Sequence, residues 1–464
     1  LAGLENLGPG LMAASPVRRV GVIGGGWAGC AAACELARYG YHVVILEAAR
    51  ELGGRARRIE VNGRILDNGQ HILLGAYAET LRLMAMVGIA PADALLRLPL
   101  QMHYPPGSGG MQLRAPPLPA PLHLLLALLR AGGLEREDKL AIARFQSTAR
   151  WSGWTLYDDC SVSELLQRYD QTAAVIRQLW RPLCIAALNT PPERASAQVF
   201  LNVLKDSLGS RRSASDMLLP KMDLSMLFPD GAGDYVRRNR GEVQLGARVQ
   251  GIVRGAGGWN VEVAGQASEC FDAIVMAAPP WQAKALLEPT VPGLVPEFSY
   301  EPILTCYLQY SPELSLRQPF FALLDDPAAG DYGQFVFDRG ELDPMAAGLL
   351  AVVTSAWSEP IRQNGSEAAA GQDTALQSSA IAGQLARAFG DPRLLHPQWS
   401  KVITEKRATF SCTPALQRPP NDTGTTGLWL AGDYTASDYP ATIESAVRSG
   451  VAAARGLHQS SSRT

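Results

Sequence analysis

The stretch "VGVIGGGWAGC", Val20 to Cys30, restricts the fold of this chain more than any other. A short apolar strand, Val20 to Ile23, runs into Gly24, Gly26 and Gly29 in the spacing G-x-G-x-x-G, and small residues follow at Ala28, Cys30, Ala31, Ala32 and Ala33. The first glycine permits the tight turn, the second lets a pyrophosphate come against backbone, and the third lets the next helix lie close on the strand. The helix N-terminus offers unpaired N–H groups and the positive end of its dipole to the phosphates. Gly40 ends the helix, "HVVIL" is a second apolar strand, and Glu47 closes it, 18 residues after Gly29. A carboxylate there accepts hydrogen bonds from a ribose diol and repels a 2′-phosphate. Strand, helix, second strand and acid in register specify a parallel α/β sheet with a dinucleotide at its carboxyl edge. A glycine turn without a ligand would leave the strand-end acid unexplained.

A chain of 464 residues exceeds one compact core, so two domains are expected. With 47% apolar and 19% charged residues it is globular. A net charge of -2 gives no reason to expect nucleic acid as a partner. The 7 cysteines are odd in number and form no C-x-x-C pair; Cys30 and Cys34 lie a helical turn apart among alanines. That pattern argues against a disulfide framework or a metal site and for a reducing cytoplasm. "LAGLENLGPGLMAASPVRR" lacks the basic start and apolar run of a secretory signal, and the residues before Met12 are set aside from the fold. No segment reaches the roughly 20 apolar residues that span a bilayer.

Which dinucleotide binds is not decided by the first motif. "ELGGRARRIEVNGRILDNG" follows the second strand; Gly53 and Gly54 permit close backbone approach, and Arg55 and Arg57 can reach phosphate oxygens. "LDNGQHILLGAY" then sets Asp67, Asn68, Gln70 and His71 against an apolar run, either as a surface loop or as a wall beside a cofactor. At the far end, "GLWLAGDYTASDYPATIESAVRSGVAAA" reads as a buried strand, Trp429 to Ala431, with Gly432 and Asp433 at its carboxyl end and a helix starting near Pro440 to Thr442. A second helix N-terminus can thus be aimed at the same ligand. "DGAGDY" at Asp230 lacks the G-x-G-x-x-G spacing, so a dedicated nicotinamide site is not expected.

The fingerprint, "GGRAR" and "LAGDYT…PATIESAVRSG" resemble the flavin amine oxidase and phytoene desaturase superfamily. Within it, "GRARRIEVNGRILDNGQHILLGAY", "AGDYTASDYPATIESAVRSG" and "EKRATFSCTP" are similar to the hydroxysqualene dehydroxylase family. The resemblance implies FAD. Gly24, Gly26, Trp27, Ala28 and Gly29 would hold its pyrophosphate, and Glu47 and Ala48 the adenosine ribose. Gly54 and Arg55 would lie along the cofactor, with Gly69, Gln70 and His71 against the flavin. Val249 would give a backbone contact to adenine, with Ala278 close by, and Gly432 and Asp433 would meet the ribityl chain. The backbone of Ala441, Thr442 and Ile443 would face flavin N1 and O2, where a helix dipole stabilises the anionic reduced ring.

The implied fold is a discontinuous Rossmann-like FAD-binding domain (17–85, 235–288 and 425–458) with an α+β cap (86–234 and 289–424). The segment "EVQLGARVQGIVRGAGGWNVEVAGQASECFDAIVMAAPP" is the internal return to the FAD domain.

The resemblance implies a long apolar isoprenoid carrying one allylic hydroxyl as substrate. Replacing that hydroxyl with hydride requires reduced flavin, an unidentified electron donor, an acid for the leaving water and an apolar channel that excludes solvent. His71 is a candidate acid, with Asp67 or Gln70 orienting it; alternatively the segment only wraps flavin or satisfies backbone groups. Tyr434 and Tyr439 either face the developing cation or pack as ordinary core. Two other activities use the same frame: an isoprenoid or carotenoid desaturase, which takes hydride from its substrate, and an amine oxidase. The latter tends to place a lysine at flavin N5, and Lys401 and Lys406 are the only lysines after Lys284. A non-catalytic flavoprotein scaffold is the reading outside enzymology.

"APPLPAPLHLLLALLRAGG" is the greasiest stretch, and its prolines bar a helix before Leu122. The run to Leu129 gives about 12 Å of helix against a hydrocarbon core of about 30 Å. It is expected either to lie at a membrane surface through 118–131, making the protein peripheral on the inner face of the cytoplasmic membrane, or to be a buried cap helix. His123 within it reads as a satisfied or snorkelling side chain. Ser161 or Ser163 caps a following helix, "ILTCYLQYS" and "GLLAVVTSAW" are strands, 365–390 is helical, and the tail "HQSSSRT" is expected to be disordered.

Overall fold

A computed structural model describes residues 18–209, 211–357 and 370–461. The leader segment, the first residues of the 365–390 helix and the last three residues of the tail lie outside the described residues.

Five short strands form a parallel sheet in the order Glu242–Leu245, His42–Glu47, Arg19–Ile23, Ala273–Met276, Leu428–Leu430. The inner strands are almost wholly apolar because both faces of a parallel sheet are covered, whereas the edge strand Glu242–Leu245 is partly polar and exposed. The helix Trp27–Arg38 follows the first strand, and every residue from Trp27 to Ala37 is buried. The C-terminal helix Ile443–Ser461 lies beside it: Val447, Val451 and Ala454 share one cluster with Ala28, Ala31 and Ala32. The two ends of the chain therefore meet around one sheet, 400 residues apart in sequence but adjacent in space. That helix runs on to Ser461, so the tail expected to be disordered is helical over its first part. Tyr39 stacks on His458 at 4.1 Å, which ties it down.

The second sheet is antiparallel, in the order Phe320–Ala322, Phe335–Asp338, Leu349–Ser355, Tyr300–Gln309, Trp399–Phe410. Strand alternation gives it two apolar faces. One face (Leu304, Cys306, Leu308, Val352) packs with Ile381 and Leu385 of the helix Ala370–Phe389. The other (Thr305, Tyr307, Ala351, Val353, Phe335, Phe337) turns toward the helical cap and the FAD domain, where Tyr307, Phe337 and Val353 join Phe145, Trp180 and Phe200 in the largest cluster. Ser161 caps its helix by accepting from the Glu164 N–H at 3.1 Å.

Two boundaries drawn from sequence cut through connected structure. The helix Pro229–Arg238 crosses the 234/235 boundary, with Ala232 and Val236 buried beside Leu36 of the glycine-loop helix. Leu73–Leu74 pairs with Met217–Pro220, which also pairs with Leu95–Leu98, across the 85/86 boundary. Apolar pattern alone does not reveal these joints because each strand is only two to four residues long.

The helix Leu122–Arg130 is neither fully buried nor free. His123, Ala127 and Leu128 face inward, whereas Leu122, Leu125 and Leu129 are 52%, 52% and 62% exposed. Among the described residues, no helix is long and apolar enough to cross a membrane.

Candidate active site

The three motif glycines perform separable tasks. A Cβ on Gly29 would lie 1.9 Å from the Gly24 carbonyl oxygen, so this position is glycine for helix-on-strand contact. A Cβ on Gly26 would meet only Gly54 Cα, at 3.8 Å. Among the described residues nothing crowds this position, so the surface at Gly26 is open to a ligand. The residue before Gly54 is held by a hydrogen bond from the Gly53 N–H to the Gly25 carbonyl at 2.8 Å. Gly26 is also the N-cap of its helix, no side chain caps it and no acid stands in the first turn, so the helix start is open to an anion.

Glu47 closes the second strand. Its Oε2 accepts from the Gly25 N–H at 2.6 Å and its Oε1 from the Ala49 N–H at 2.7 Å, pinning the glycine loop to the strand end beside Ala48. The Gly246 and Ala247 N–H groups donate to the Ala49 and Glu47 carbonyls at 2.9 and 2.8 Å, which brings Val249 to the same end. The Ala277 N–H donates to Ile23 at 2.8 Å and sets Ala278 beside Gly24. The Trp27 indole N–H donates to the Ala56 carbonyl at 2.8 Å.

Both arginines expected at phosphate oxygens spend donors on protein. Arg55 Nη2 is shared by both oxygens of Asp433 at 2.7 Å, and its Nη1 donates to the Ala408 carbonyl at 2.7 Å. Burial opposes the Arg55 charge, but Asp433 outweighs it and keeps the guanidinium protonated. Arg57 donates to the Gly54 carbonyl at 2.6 Å. The Arg55–Asp433 pair joins the "GGRAR" segment to the C-terminal motif across 378 residues. Beyond Asp433 the chain loops to the last helix, where Thr442 Oγ1 caps the start by accepting from the Ser445 N–H at 3.1 Å. Ala441, Thr442 and Ile443 thus form a helix entrance.

Sequence reasoning overlooked Arg418. Its guanidinium donates to the carbonyls of Asp433, Tyr434, Ser437 and Tyr439 at 2.5 to 3.4 Å, and it lies over the Phe410 ring at 4.8 Å. One cation thereby organises the whole loop. No sequence pattern marks it, since its acceptors are backbone.

The polar cluster from Asp67 to His71 lies beside Arg55, whose carbonyl accepts from Asn68 Nδ2 at 3.0 Å, and its internal pairing differs from expectation. Asp67 and Gln70 do not orient His71. Asp67 is buried, its Oδ1 accepts from the Leu224 N–H at 2.8 Å, and burial pushes its pKa up to about 6. Gln70 donates to the Tyr307 hydroxyl at 2.8 Å and accepts from Arg339 at 3.1 Å; Tyr307 donates on to the Asp67 carbonyl at 2.8 Å. The ring of His71 turns instead to the Gly69 carbonyl, with Nδ1 at 3.2 Å. A carbonyl only accepts, so Nδ1 carries the proton. Burial lowers the His71 pKa, so the ring is neutral near pH 7 and Nε2 is an acceptor, the wrong polarity for an acid. Gly69, at φ +119°, has only His71 and Thr305 near a would-be Cβ, both at 3.8 Å. Lys401 and Lys406 are exposed on the strand Trp399–Phe410.

The residues present fit FAD: an open slot between Gly26 and Gly54, an acid at the strand end, and a second helix entrance at the far end. Fold and site together define a flavin-dependent oxidoreductase with a cap over the cofactor domain. The chain belongs to the flavin containing amine oxidoreductase family, whose model matches residues 27–458, and its cofactor is FAD. It is 29% identical over 465 residues to hydroxysqualene dehydroxylase of Rhodopseudomonas palustris, covering 94% of this chain and 97% of that protein. It is 25% identical over 468 residues to a 15-cis-phytoene desaturase of Glycine max, covering 95% of this chain and 79% of that one. In fold it is similar to the crystal structure of cyclohexylamine oxidase from Brevibacterium oxydans, with TM-score 0.66, 18% identity, and coverage of 96% and 100%.

Proposed function

We propose that this FAD-dependent oxidoreductase removes the allylic hydroxyl of hydroxysqualene and puts hydride in its place, giving squalene. The observation that carries this reading is the match to a hydroxysqualene dehydroxylase over 94% of the chain, nearly end to end in both proteins. The chemistry of the site supports it. Reduced FAD supplies hydride; the chain's own residues supply an apolar surround and a proton. The inner face of the cap sheet is built from Phe335, Phe337, Ala351 and Val353, which suits a hydrocarbon and keeps water from a developing cation. Exposed lysines on the cap strand offer nothing to an amine-oxidase mechanism.

The likeness to phytoene desaturases supports a second reading, in which hydride leaves the substrate. One anaerobic experiment separates the two. Enzyme reduced with dithionite is mixed with hydroxysqualene, and flavin absorbance and products are followed over a single turnover. Reoxidation with one squalene per flavin supports dehydroxylation. Reduced flavin that persists, with oxidised enzyme instead bleached by a saturated isoprenoid, supports desaturation.

The leucine face of Leu122–Arg130 suits delivery of such a substrate from a bilayer. Leu122, Leu125 and Leu129 share one side of the helix, and Arg114 and Arg130 are exposed beside it. Burying three half-exposed leucines contributes roughly 3 kcal/mol, and each basic neighbour adds about 1 kcal/mol at an anionic surface. That is enough for reversible attachment.

A further inference from the structure

We propose that Tyr434 is the proton donor to the departing hydroxyl, an assignment that rests on the dehydroxylation reading above. The Tyr434 side chain is 1% exposed and its hydroxyl has no hydrogen-bond partner among the described residues. Leaving a buried hydroxyl unpaired costs about 1–3 kcal/mol, so a phenol held this way is built to meet something else.

Its position is imposed by the backbone. A Cβ on Gly432 would sit 2.4 Å from the Tyr434 ring, so the glycine two residues earlier is what lets the ring fold back against the strand end. The ring shares one apolar cluster with Phe298, Tyr307 and Phe410 and with Met276 and Leu430 of the parallel sheet, whereas Ala431 belongs to the cluster around the glycine-loop helix. Tyr434 therefore sits at the junction of the parallel sheet and the segment carrying Phe298. The Phe298 ring packs edge-on against the Tyr434 ring at 6.1 Å and leans on Phe410 at 5.8 Å, so aromatic rings surround it. The faces of such rings favour a carbocation.

Three other candidate groups are engaged. Tyr439 donates to Asp206, Tyr307 donates to the Asp67 carbonyl, and His71 Nδ1 faces the Gly69 carbonyl. Burial pushes the Tyr434 pKa up, so the phenol is protonated at working pH. In the step, the allylic C–O bond breaks, its electron pair stays on oxygen, and that oxygen takes the Tyr434 proton and leaves as water. The carbon takes hydride from reduced FAD, which becomes oxidised. The phenolate recovers its proton from solvent, so alcohol, anionic reduced FAD and one solvent proton give hydrocarbon, water and FAD.

The test uses FAD-loaded wild type and Tyr434→Phe, reduced anaerobically with dithionite and mixed with hydroxysqualene. Phenylalanine keeps the ring that fills the space beside Gly432, and loss of an unpaired hydroxyl leaves folding intact; equal flavin content and an equal or higher melting temperature check this. The expected result is flavin reoxidation on the order of 100- to 10,000-fold slower in the variant, with the wild-type rate showing a solvent isotope effect that the variant lacks. A variant as fast as wild type overturns the assignment and leaves dehydroxylation standing. A variant that loses FAD affinity, with an unchanged rate once saturated, also overturns it by assigning the hydroxyl to the cofactor. Wild-type flavin that is not reoxidised by the alcohol overturns the dehydroxylation reading and this assignment with it.

Discussion

Gly26→Ala separates folding from cofactor binding. The new methyl group would meet only Gly54 Cα at 3.8 Å, an ordinary contact. Gly26 has φ -73° and ψ -179°, which alanine adopts without strain. Two small effects on the apoprotein then nearly cancel. Alanine is a poorer N-cap than glycine by some tenths of a kcal/mol to about 1 kcal/mol, while the stiffer unfolded chain returns about 0.4–1 kcal/mol. Apoprotein stability should stay within about 0.5 kcal/mol of wild type. FAD affinity should fall. A methyl group where a phosphate oxygen comes against backbone costs one charge-assisted hydrogen bond, about 1.5–3 kcal/mol, which is roughly a 10- to 100-fold rise in Kd. Gly29→Ala is the control, because its Cβ would lie 1.9 Å from the Gly24 carbonyl oxygen and must push helix from strand. The assay is deflavination, a melting curve, and titration with FAD followed by quenching of flavin fluorescence. An unchanged Kd in Gly26→Ala, or an apoprotein that melts as badly as Gly29→Ala, would refute the division of labour among the glycines.

Asp433→Asn leaves the Arg55 guanidinium with the Ala408 carbonyl and no carboxylate; since Asp433 is buried and Arg55 is partly open, the loss should sit near about 3 kcal/mol, read as a lower denaturation midpoint, and an unchanged midpoint counts against the pair as the link between chain ends. Asp67 carries a folded-state pKa raised by burial from 3.8 to about 6. A raised pKa means that its contribution is fully present below the unfolded value and is lost as pH rises through about 6, a span worth on the order of 3 kcal/mol. Asp67→Asn, which keeps an acceptor for the Leu224 N–H, should flatten the fall in melting temperature across that window, and identical slopes would show that Asp67 is not the group responsible. Leu125→Glu should abolish most co-sedimentation with anionic vesicles while flavin content is retained; equal sedimentation of the folded variant would mean that the leucine face is not a lipid contact.

Legibility in sequence followed distance along the chain. The glycine loop, its helix and Glu47 lie within about 30 residues, and their spacing is set by the geometry of one strand, turn and helix, so pattern suffices. The same holds for the last strand and helix, and for caps such as Ser161, which bonds three residues ahead. Hydrogen-bond partners in the site followed a different logic. Asp67, Gln70 and His71 are neighbours in sequence, yet their side chains turn in different directions: Asp67 and Gln70 found partners on other elements, Leu224 and Tyr307, and His71 a local carbonyl.

What the amino-acid order determined alone is a nucleotide sheet, its acid, and a second helix entrance at the far end of the chain. Tertiary structure alone decided that Arg55 meets Asp433, that Arg418 gathers four carbonyls, that Tyr439 is tied to Asp206 while Tyr434 is left without a partner, and that one face of the apolar run stays in solvent. The physical reason is competition. A buried donor or acceptor takes the best partner within reach, and which groups come within reach is set by segments hundreds of residues away.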